Sequence, residues 1–185
     1  PYLGGSSHLV DIFLIRPIFA DGKHIGFAGC VVHTSDMGGR VAGGNAADST
    51  EIFQEGLRLP PTRIVENDTI VRPIERIIEV NVRVPGTVLG DMYALIQACQ
   101  MAERRLQEIV LDKGHRYVLN HMQGLIDHAT RLFSERIQSF PEGEFSFEDV
   151  LDDDGVGNGP IKIAVTIRRS GDRLVVDFDG TDPAV

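Results

Sequence analysis

The fold of the first part of the chain is decided by residues 9–33, LVDIFLIRPIFADGKHIGFAGCVVH. Residues 9–19 are rich in Ile, Leu, Val and Phe, a composition that predicts a β-strand. Asp21-Gly22 is a strong signal for a hairpin turn, because both residues tolerate positive φ. Residues 24–33 predict the return strand. The stretch is therefore expected to form a β-hairpin with a tight turn in its middle.

Two His-x-x-Asp pairs lie at the open end of this predicted hairpin, His8 with Asp11 and His33 with Asp36. Antiparallel pairing around the turn places His33 opposite residue 10, beside the first pair. The sequence therefore predicts that the four side chains converge.

Imidazole nitrogens and carboxylate oxygens are donors that suit zinc, manganese or iron(II). A metal held by His8, Asp11, His33 and Asp36 would polarise a carbonyl or lower the pKa of bound water. Replacing Asp36 by Asn is expected to remove a ligand and to leave the fold intact. The alternative is that the two pairs are His–Asp hydrogen bonds that hold loops in place.

His24, at the predicted turn, is expected to be exposed.

Helices are predicted after a Gly-rich loop over residues 34–49. Short helices are expected in STEIFQEGLRLPP, which starts at Ser49, and in RPIERIIEVN, residues 72–81. Two long helices, 87–113 and 116–138, each carry one apolar stripe at helical spacing. Because Gly114 lies between them, they are expected to form an antiparallel pair. The side chains expected to be buried are Leu89, Ile96, Leu106, Leu125 and Leu132.

A second β-hairpin is predicted near the end of the chain. Residues 160–168 and 173–178 alternate apolar and polar side chains around Ser-Gly-Asp. An N-terminal hairpin with its Gly-rich loop, a long-helix pair and a C-terminal hairpin together predict an α+β fold. The chain opens without Met and closes as a strand runs into a turn, so we expect it to be part of a larger fold.

Charge and cysteine content narrow the possible partners. The net charge of -9 and the pI of about 5.1 argue against a nucleic-acid or anionic-membrane surface. No stretch reaches the roughly 18 apolar residues of a membrane span. Cys30 and Cys99 are far apart in sequence and lie in apolar surroundings, which predicts buried free thiols and a cytoplasmic protein. The sequence has no Walker A or GxGxxG element for a nucleotide.

Several stretches resemble the hydantoinase B/oxoprolinase family: the residues from PYLGGSSHLVDIF to HTSDMGG, then STEIFQEGLRLPPTRI, NVRVPGTVLGDMYALIQACQMAERRL and VTIRRSGDRLVVDFDGTDP. The resemblance covers essentially the whole chain and implies that residues 1–185 are an internal segment of a longer protein. Residues 1–48 would hold the metal-site hairpin and loop, 49–140 the helices, and 141–185 the second hairpin. The family pattern has His-x-x-Asp, then His-His-x-Asp-x-Gly-Gly. Here it matches His8, Asp11, His33, Asp36, Gly38 and Gly39, and Thr34 replaces the second His.

The resemblance implies the B-type subunit of an ATP-dependent amidohydrolase, which opens a cyclic amide such as a hydantoin or 5-oxoproline. In that family an A-type partner uses ATP to phosphorylate the substrate, and carboxylase members hold a divalent metal in this region. His33 and Asp36 would be catalytic, and the protein would be a hetero-oligomer. Two alternatives stay open: the alpha-type subunit of an ATP-dependent ketone carboxylase, and a non-catalytic assembly module whose helices dock a partner.

Overall fold

A computed structural model describes residues 7–183, and the chain divides into two compact units, Pro1–His115 and Arg116–Val185. The mixture of helices and antiparallel strands confirms the predicted α+β class. The described elements are β1 Asp11–Ala20, β2 Lys23–His33, β3 Val65–Glu66, β4 Thr69–Ile70, α1 Arg72–Asn81, α2 Pro85–Lys113, α3 His115–Gln138, β5 Gly143–Leu151, β6 Ile161–Ser170 and β7 Arg173–Asp177.

β1 and β2 form the predicted hairpin, and its turn uses the two residues that the sequence singles out. Asp21 and Gly22 have φ values of 48° and 72°, the left-handed conformation that a two-residue hairpin turn requires. His24, next to this turn, is exposed as predicted.

The pairing of the two strands differs from the prediction by one residue at the open end. Phe19 pairs with His24, as the turn requires, but a β-bulge between Ile18 and Phe19 then shifts the register. His33 consequently faces Asp11 instead of residue 10. The bulge therefore places Asp11 of the first His-x-x-Asp pair directly opposite His33 of the second.

The core of the first unit lies between this hairpin and α2. Alternate residues of β1 point towards the helix and are buried, while Phe13 and Ile15 on the opposite face are 56% and 67% exposed. Among the residues that the structure describes, α2 therefore covers one face of the hairpin. The buried side chains here include Ile12, Leu14, Ile18, Met92, Leu95, Ile96 and Cys99.

The two cysteines are both free thiols, as predicted, and they meet inside this core. Cys99 is buried and Cys30 is half-buried, with their Sγ atoms 3.7 Å apart. Burial raises the pKa of the Cys99 thiol to about 11, and the hydrogen bond to Cys30 adds to the effect.

The long helices α2 and α3 are confirmed as elements, with Gly114 at φ 84° between them. Their antiparallel pairing stays a prediction. The expected burial is correct for Ile96, whereas Leu89 and Leu106 are half-buried. It is wrong for Leu125 and Leu132, which are 68% and 48% exposed.

The second unit combines α3 with a three-stranded antiparallel sheet in the order β5-β6-β7. The predicted hairpin is its β6–β7 part, and the prediction missed β5, whose GEFSFEDVL sequence mixes acidic and aromatic residues. Arg169 of β6 donates hydrogen bonds to the carbonyls of Ile137 and Gln138, so the sheet meets α3 at its C-terminal end. This explains why Ile137 is buried while Leu125 is not.

The short helix predicted from Ser49 is reduced to one turn of 3-10 helix, Ile52–Gln54. Its backbone groups are used elsewhere: Leu57 N–H donates to the Met37 carbonyl, and the Gln54 carbonyl accepts from Arg40 N–H. Tertiary hydrogen bonds to the Gly-rich loop thus replace those of a helix. The second short helix is confirmed as α1, with the bounds that the sequence predicts.

The division into units does not follow the three segments expected from the sequence, 1–48, 49–140 and 141–185. α2 packs on the first hairpin and joins the first two segments into one unit, whereas α3 clusters with the C-terminal sheet. Among the described residues, none of the helices combines the length and the hydrophobicity needed to cross a bilayer.

Candidate metal centre

Three of the four predicted ligands lie together at the open end of the first hairpin. His8 lies in the turn before β1, Asp11 is the first residue of β1, and His33 is the last residue of β2. Because Asp11 and His33 are paired across the ladder, their side chains are neighbours on one face.

The carboxylate of Asp11 lies between the two imidazole rings. His8 Nε2 is 3.0 Å from Asp11 Oδ2, and His33 Nδ1 is 3.1 Å from Asp11 Oδ1. The ring centroids of the two histidines are 4.7 Å apart. One ligand atom from each residue lies within 4.8 Å of the other two. We call this set of His8, Asp11 and His33 the triad.

The triad fits a divalent transition metal by donor type and by spacing. Metal–ligand bonds of about 2.1 Å put neighbouring ligand atoms of one ion roughly 3 Å apart. The two nitrogen–oxygen distances of 3.0 and 3.1 Å match this spacing. Two imidazoles and one carboxylate also leave coordination positions for water or substrate. The same contacts are equally those of two His–Asp hydrogen bonds, the alternative that the sequence leaves open.

The side chains of the triad are accessible from solvent. The side chains of His8 and Asp11 are 26% and 21% exposed, and that of His33 is 57% exposed. His8 and Asp11 line a cleft of about 1480 Å³ in the first unit. Most of the other residues that line this cleft are apolar, among them Phe13, Ile15, Phe53, Leu57 and Pro60.

Asp36, the fourth predicted ligand, is not part of this group and has other partners. It is 2% exposed, and its Oδ1 accepts from the Arg83 guanidinium at 2.8 Å. Its Oδ2 accepts from the backbone N–H groups of Arg83 at 2.7 Å and Gly38 at 3.2 Å, and Gly43 N–H lies 3.4 Å from Oδ1. The predicted convergence of four side chains is therefore wrong for Asp36, because its charge is satisfied inside the Gly-rich loop.

The hydrogen bonds also explain the acidity of this carboxyl group. Burial alone would raise the pKa of Asp36, but the amide and guanidinium of Arg83 and the amides of Gly38 and Gly43 outweigh it. The pKa is therefore held below the ordinary value of the group. Asp36 is a buried anion around which the loop folds.

Arg83 fastens the same loop from the other side, just before α2 begins. Its guanidinium donates to the carbonyls of Gly38, Gly39 and Val41 at 3.1, 2.7 and 3.3 Å. A Cβ on Gly38 would lie 2.5 Å from the Asn81 carbonyl oxygen, so the backbone approach itself requires glycine. Sequence reasoning missed Arg83, since it lies 47 residues after Asp36 and no local pattern links the two.

Thr34, at the position where the family pattern has a second histidine, connects the segments that carry the triad. It is 1% exposed, and its N–H and its hydroxyl both donate to the Val10 carbonyl, at 2.8 and 2.9 Å. Val10 lies next to Asp11. The departure from the family pattern is the signal that singles out Thr34, although the sequence does not indicate its partner.

A family model described as hydantoinase B/oxoprolinase matches residues 1–185. Caprolactamase subunit beta of Pseudomonas jessenii is 30% identical over 175 residues, which are 95% of this chain and 30% of that protein. The crystal structure of the ATP-dependent caprolactamase from Pseudomonas jessenii has a TM-score of 0.84 at 30% identity, and the match covers 92% of this chain and 29% of the solved one. The relationship thus appears in sequence and in structure.

The nucleotide-free structure of acetone carboxylase also has a TM-score of 0.84, over 96% of this chain and 25% of that one. At 22% identity this likeness shows a common fold. The chain spans about 30% of the length of two of the curated relatives that it matches. With the family model matching throughout, the chain belongs to the hydantoinase B/oxoprolinase family.

Proposed function

We propose that this chain supplies the metal site of a B-type subunit in an ATP-dependent amidohydrolase that opens a cyclic amide. The observation that carries the proposal is the triad, in which two imidazoles and one carboxylate lie within 4.8 Å of one another beside an open cleft. The relative named caprolactamase supports the substrate class, since caprolactam is a cyclic amide.

The chain's own residues bind the metal and orient what enters the cleft. His8, Asp11 and His33 would hold a divalent metal such as manganese, zinc or iron. When bound, such a metal supplies Lewis-acid chemistry at a carbonyl or an acidified water. The apolar wall that includes Phe13 and Phe53 would contact the ring carbons of a lactam and exclude water from them.

The ATP chemistry belongs to a partner in this proposal. An A-type subunit or domain would bind ATP and phosphorylate an oxygen of the amide, which turns a poor electrophile into a good one. Support comes from the relatives: one is named a subunit, and a solved one is titled ATP-dependent. The functional protein is then a hetero-oligomer, or a longer chain that contains both parts.

The experiment uses the full-length subunit together with its A-type partner. Bound metal is measured by mass spectrometry, and turnover is measured as release of ADP with a lactam or a hydantoin. Asp11→Asn should weaken metal binding by more than the roughly 10- to 100-fold that outer-shell residues contribute, and turnover should fall with it. His24→Ala, at the exposed hairpin turn, is the matched control and should leave both unchanged.

Two results would redirect the assignment. Turnover with a ketone and bicarbonate, but none with cyclic amides, would make the subunit part of a carboxylase; the fold shared with acetone carboxylase is the reason to include that assay. A wild-type protein without metal, and an Asp11→Asn variant with normal turnover, would make the triad a set of loop contacts in an assembly module.

A further inference from the structure

One carbonyl oxygen joins the two segments that carry the triad. The Val10 carbonyl lies between His8 and Asp11 in the chain, and it accepts two hydrogen bonds from Thr34, the residue after His33. Val10 and Thr34 are each 1% exposed. A carbonyl oxygen has two lone pairs, so it can accept the amide and the hydroxyl of Thr34 together.

The position of this contact makes it relevant to the metal site. The β1–β2 ladder ends at the pair of Asp11 and His33. Beyond that pair the Thr34–Val10 contact continues the pairing in the same register, and its burial shields it from competing water. The contact thus adds a buried link between the residues that carry His8 and the end of β2, beside the contact between Asp11 and His33.

The hydroxyl of Thr34 is committed to this contact. It donates to the Val10 carbonyl at 2.9 Å inside the protein, and it therefore holds no proton for a substrate in the cleft. The side chain at position 34 thus acts on backbone geometry, in contrast to the acid–base role that a histidine could have there.

We propose that Thr34 is a positioning residue of the metal site. Its hydroxyl holds the Val10 carbonyl so that His8 and Asp11 keep their donor atoms within 4.8 Å of the donor atom of His33. This inference rests on the proposed function, because the residues that it positions are the proposed ligands. It assigns the positioning of these ligands to the hydroxyl group of Thr34. Two substitutions can separate the effect of this hydroxyl from the effect of side-chain size.

The test compares Thr34→Val, which has nearly the same shape but no hydroxyl, with Thr34→Ser, which retains the hydroxyl. Both are made in the full-length subunit and titrated calorimetrically with Mn²⁺ alone, and then with Zn²⁺ alone. Thr34→Val should raise the dissociation constant by about tenfold, as losses of supporting contacts around metal ligands do. Thr34→Ser should bind close to the wild type.

Thr166→Val is the matched control, since it removes a threonine hydroxyl that hydrogen-bonds Ser146 at 3.0 Å in the other unit. Its metal affinity should equal that of the wild type. Melting curves accompany every titration, so that a general loss of stability can be distinguished from a specific loss of metal affinity. A general loss would lower the melting temperatures of both Thr34→Ser and Thr34→Val and would leave their metal affinities equal to each other. If Thr34→Val does not fold, Thr34→Ala replaces it, with the same expectation.

The outcomes separate the two proposals. Normal metal affinity of folded Thr34→Val overturns the positioning role and leaves the metal site intact. Equal weakening in Thr34→Ser and Thr34→Val also overturns it, because the hydroxyl would then be irrelevant. A wild-type subunit that binds neither Mn²⁺ nor Zn²⁺ refutes the proposed metal site, and the positioning role is refuted with it.

Discussion

A buried carboxylate is stable only when its charge is compensated, and Asp36 receives that compensation from Arg83 and from three backbone N–H groups, those of Gly38, Gly43 and Arg83 itself. These contacts connect the loop after β2 to the residues just before α2. Asp36 therefore stabilises the loop that follows His33 and is not one of the three residues of the triad. Its substitution is expected to act through stability first.

Asp36→Asn should lower the free energy of unfolding at pH 7 by roughly 1–3 kcal/mol, since charge-assisted hydrogen bonds are lost from a buried site. The folded pKa of Asp36 lies below its usual value, so the stabilisation is complete above about pH 4 and is lost as the pH falls through the folded pKa. The difference between wild type and variant should therefore shrink at acid pH. Urea unfolding at pH 7 and at pH 3 measures it.

Asp48→Asn is the control for this experiment. Asp48 also pairs with an arginine, Arg40, but its side chain is 60% exposed. An exposed pair contributes little, so this variant should unfold almost like the wild type. A pH-independent effect of Asp36→Asn, equal at both pH values, would contradict the role assigned to its charge.

At the scale of elements, the hairpin depends on α2 because the helix covers one face of both strands. β1 and β2 alone are a two-stranded sheet, which is marginally stable in water. The side chains of α2 that face the hairpin supply the apolar burial that the isolated strands lack. Arg16 of β1 adds an ion pair to Glu103 of α2 at 2.6 Å.

Ile96→Ala should destabilise the first unit by about 2–5 kcal/mol, because Ile96 is 3% exposed and its truncation leaves a cavity in this core. Leu111→Ala, on the same helix, is the control, since Leu111 is 79% exposed. Chemical denaturation followed by circular dichroism gives both values. Similar losses for the two variants would show that α2 does not use the Ile96 face to cover the hairpin.

At the scale of the whole molecule, the chain has two units, and the triad belongs to the first. The chain spans about 30% of the length of two of its curated relatives. Its described residues also leave large apolar side chains exposed on the outer face of the first hairpin, among them Phe13, Ile15 and Phe27. Turnover should therefore be measured on the full-length subunit. Metal binding can be followed locally, in the strands that carry the triad.

Mn²⁺ at 100 times its dissociation constant should stabilise the state that binds it by about 2.7 kcal/mol. Hydrogen exchange should slow most in peptides from β1 and β2, because the proposed ligands lie at the ends of these strands. Peptides from β6 and β7, in the other unit, serve as the internal reference. No slowing in β1 and β2, or equal slowing in all peptides, would contradict a metal site at the triad.

Much of this molecule is determined by interactions between residues that are close in sequence. Asp21-Gly22 predicts the hairpin because positive φ is a local property, and RPIERIIEVN predicts the exact bounds of α1 from its composition and helical spacing. The hairpin in turn brings His33 to the first His-x-x-Asp pair. Three members of the candidate site could therefore be predicted from local rules.

The tertiary structure alone decided the remainder, because the energies involved come from residues that are distant in sequence. Asp36 has the same spacing to a histidine as Asp11, but Arg83 and the glycine amides satisfy its charge and remove it from the triad. The apolar stripe of α2 is buried where a hairpin covers it, whereas Leu125 and Leu132 of α3 carry the same pattern and are exposed. Periodicity states which side chains can be buried together, and only packing determines whether a partner covers them.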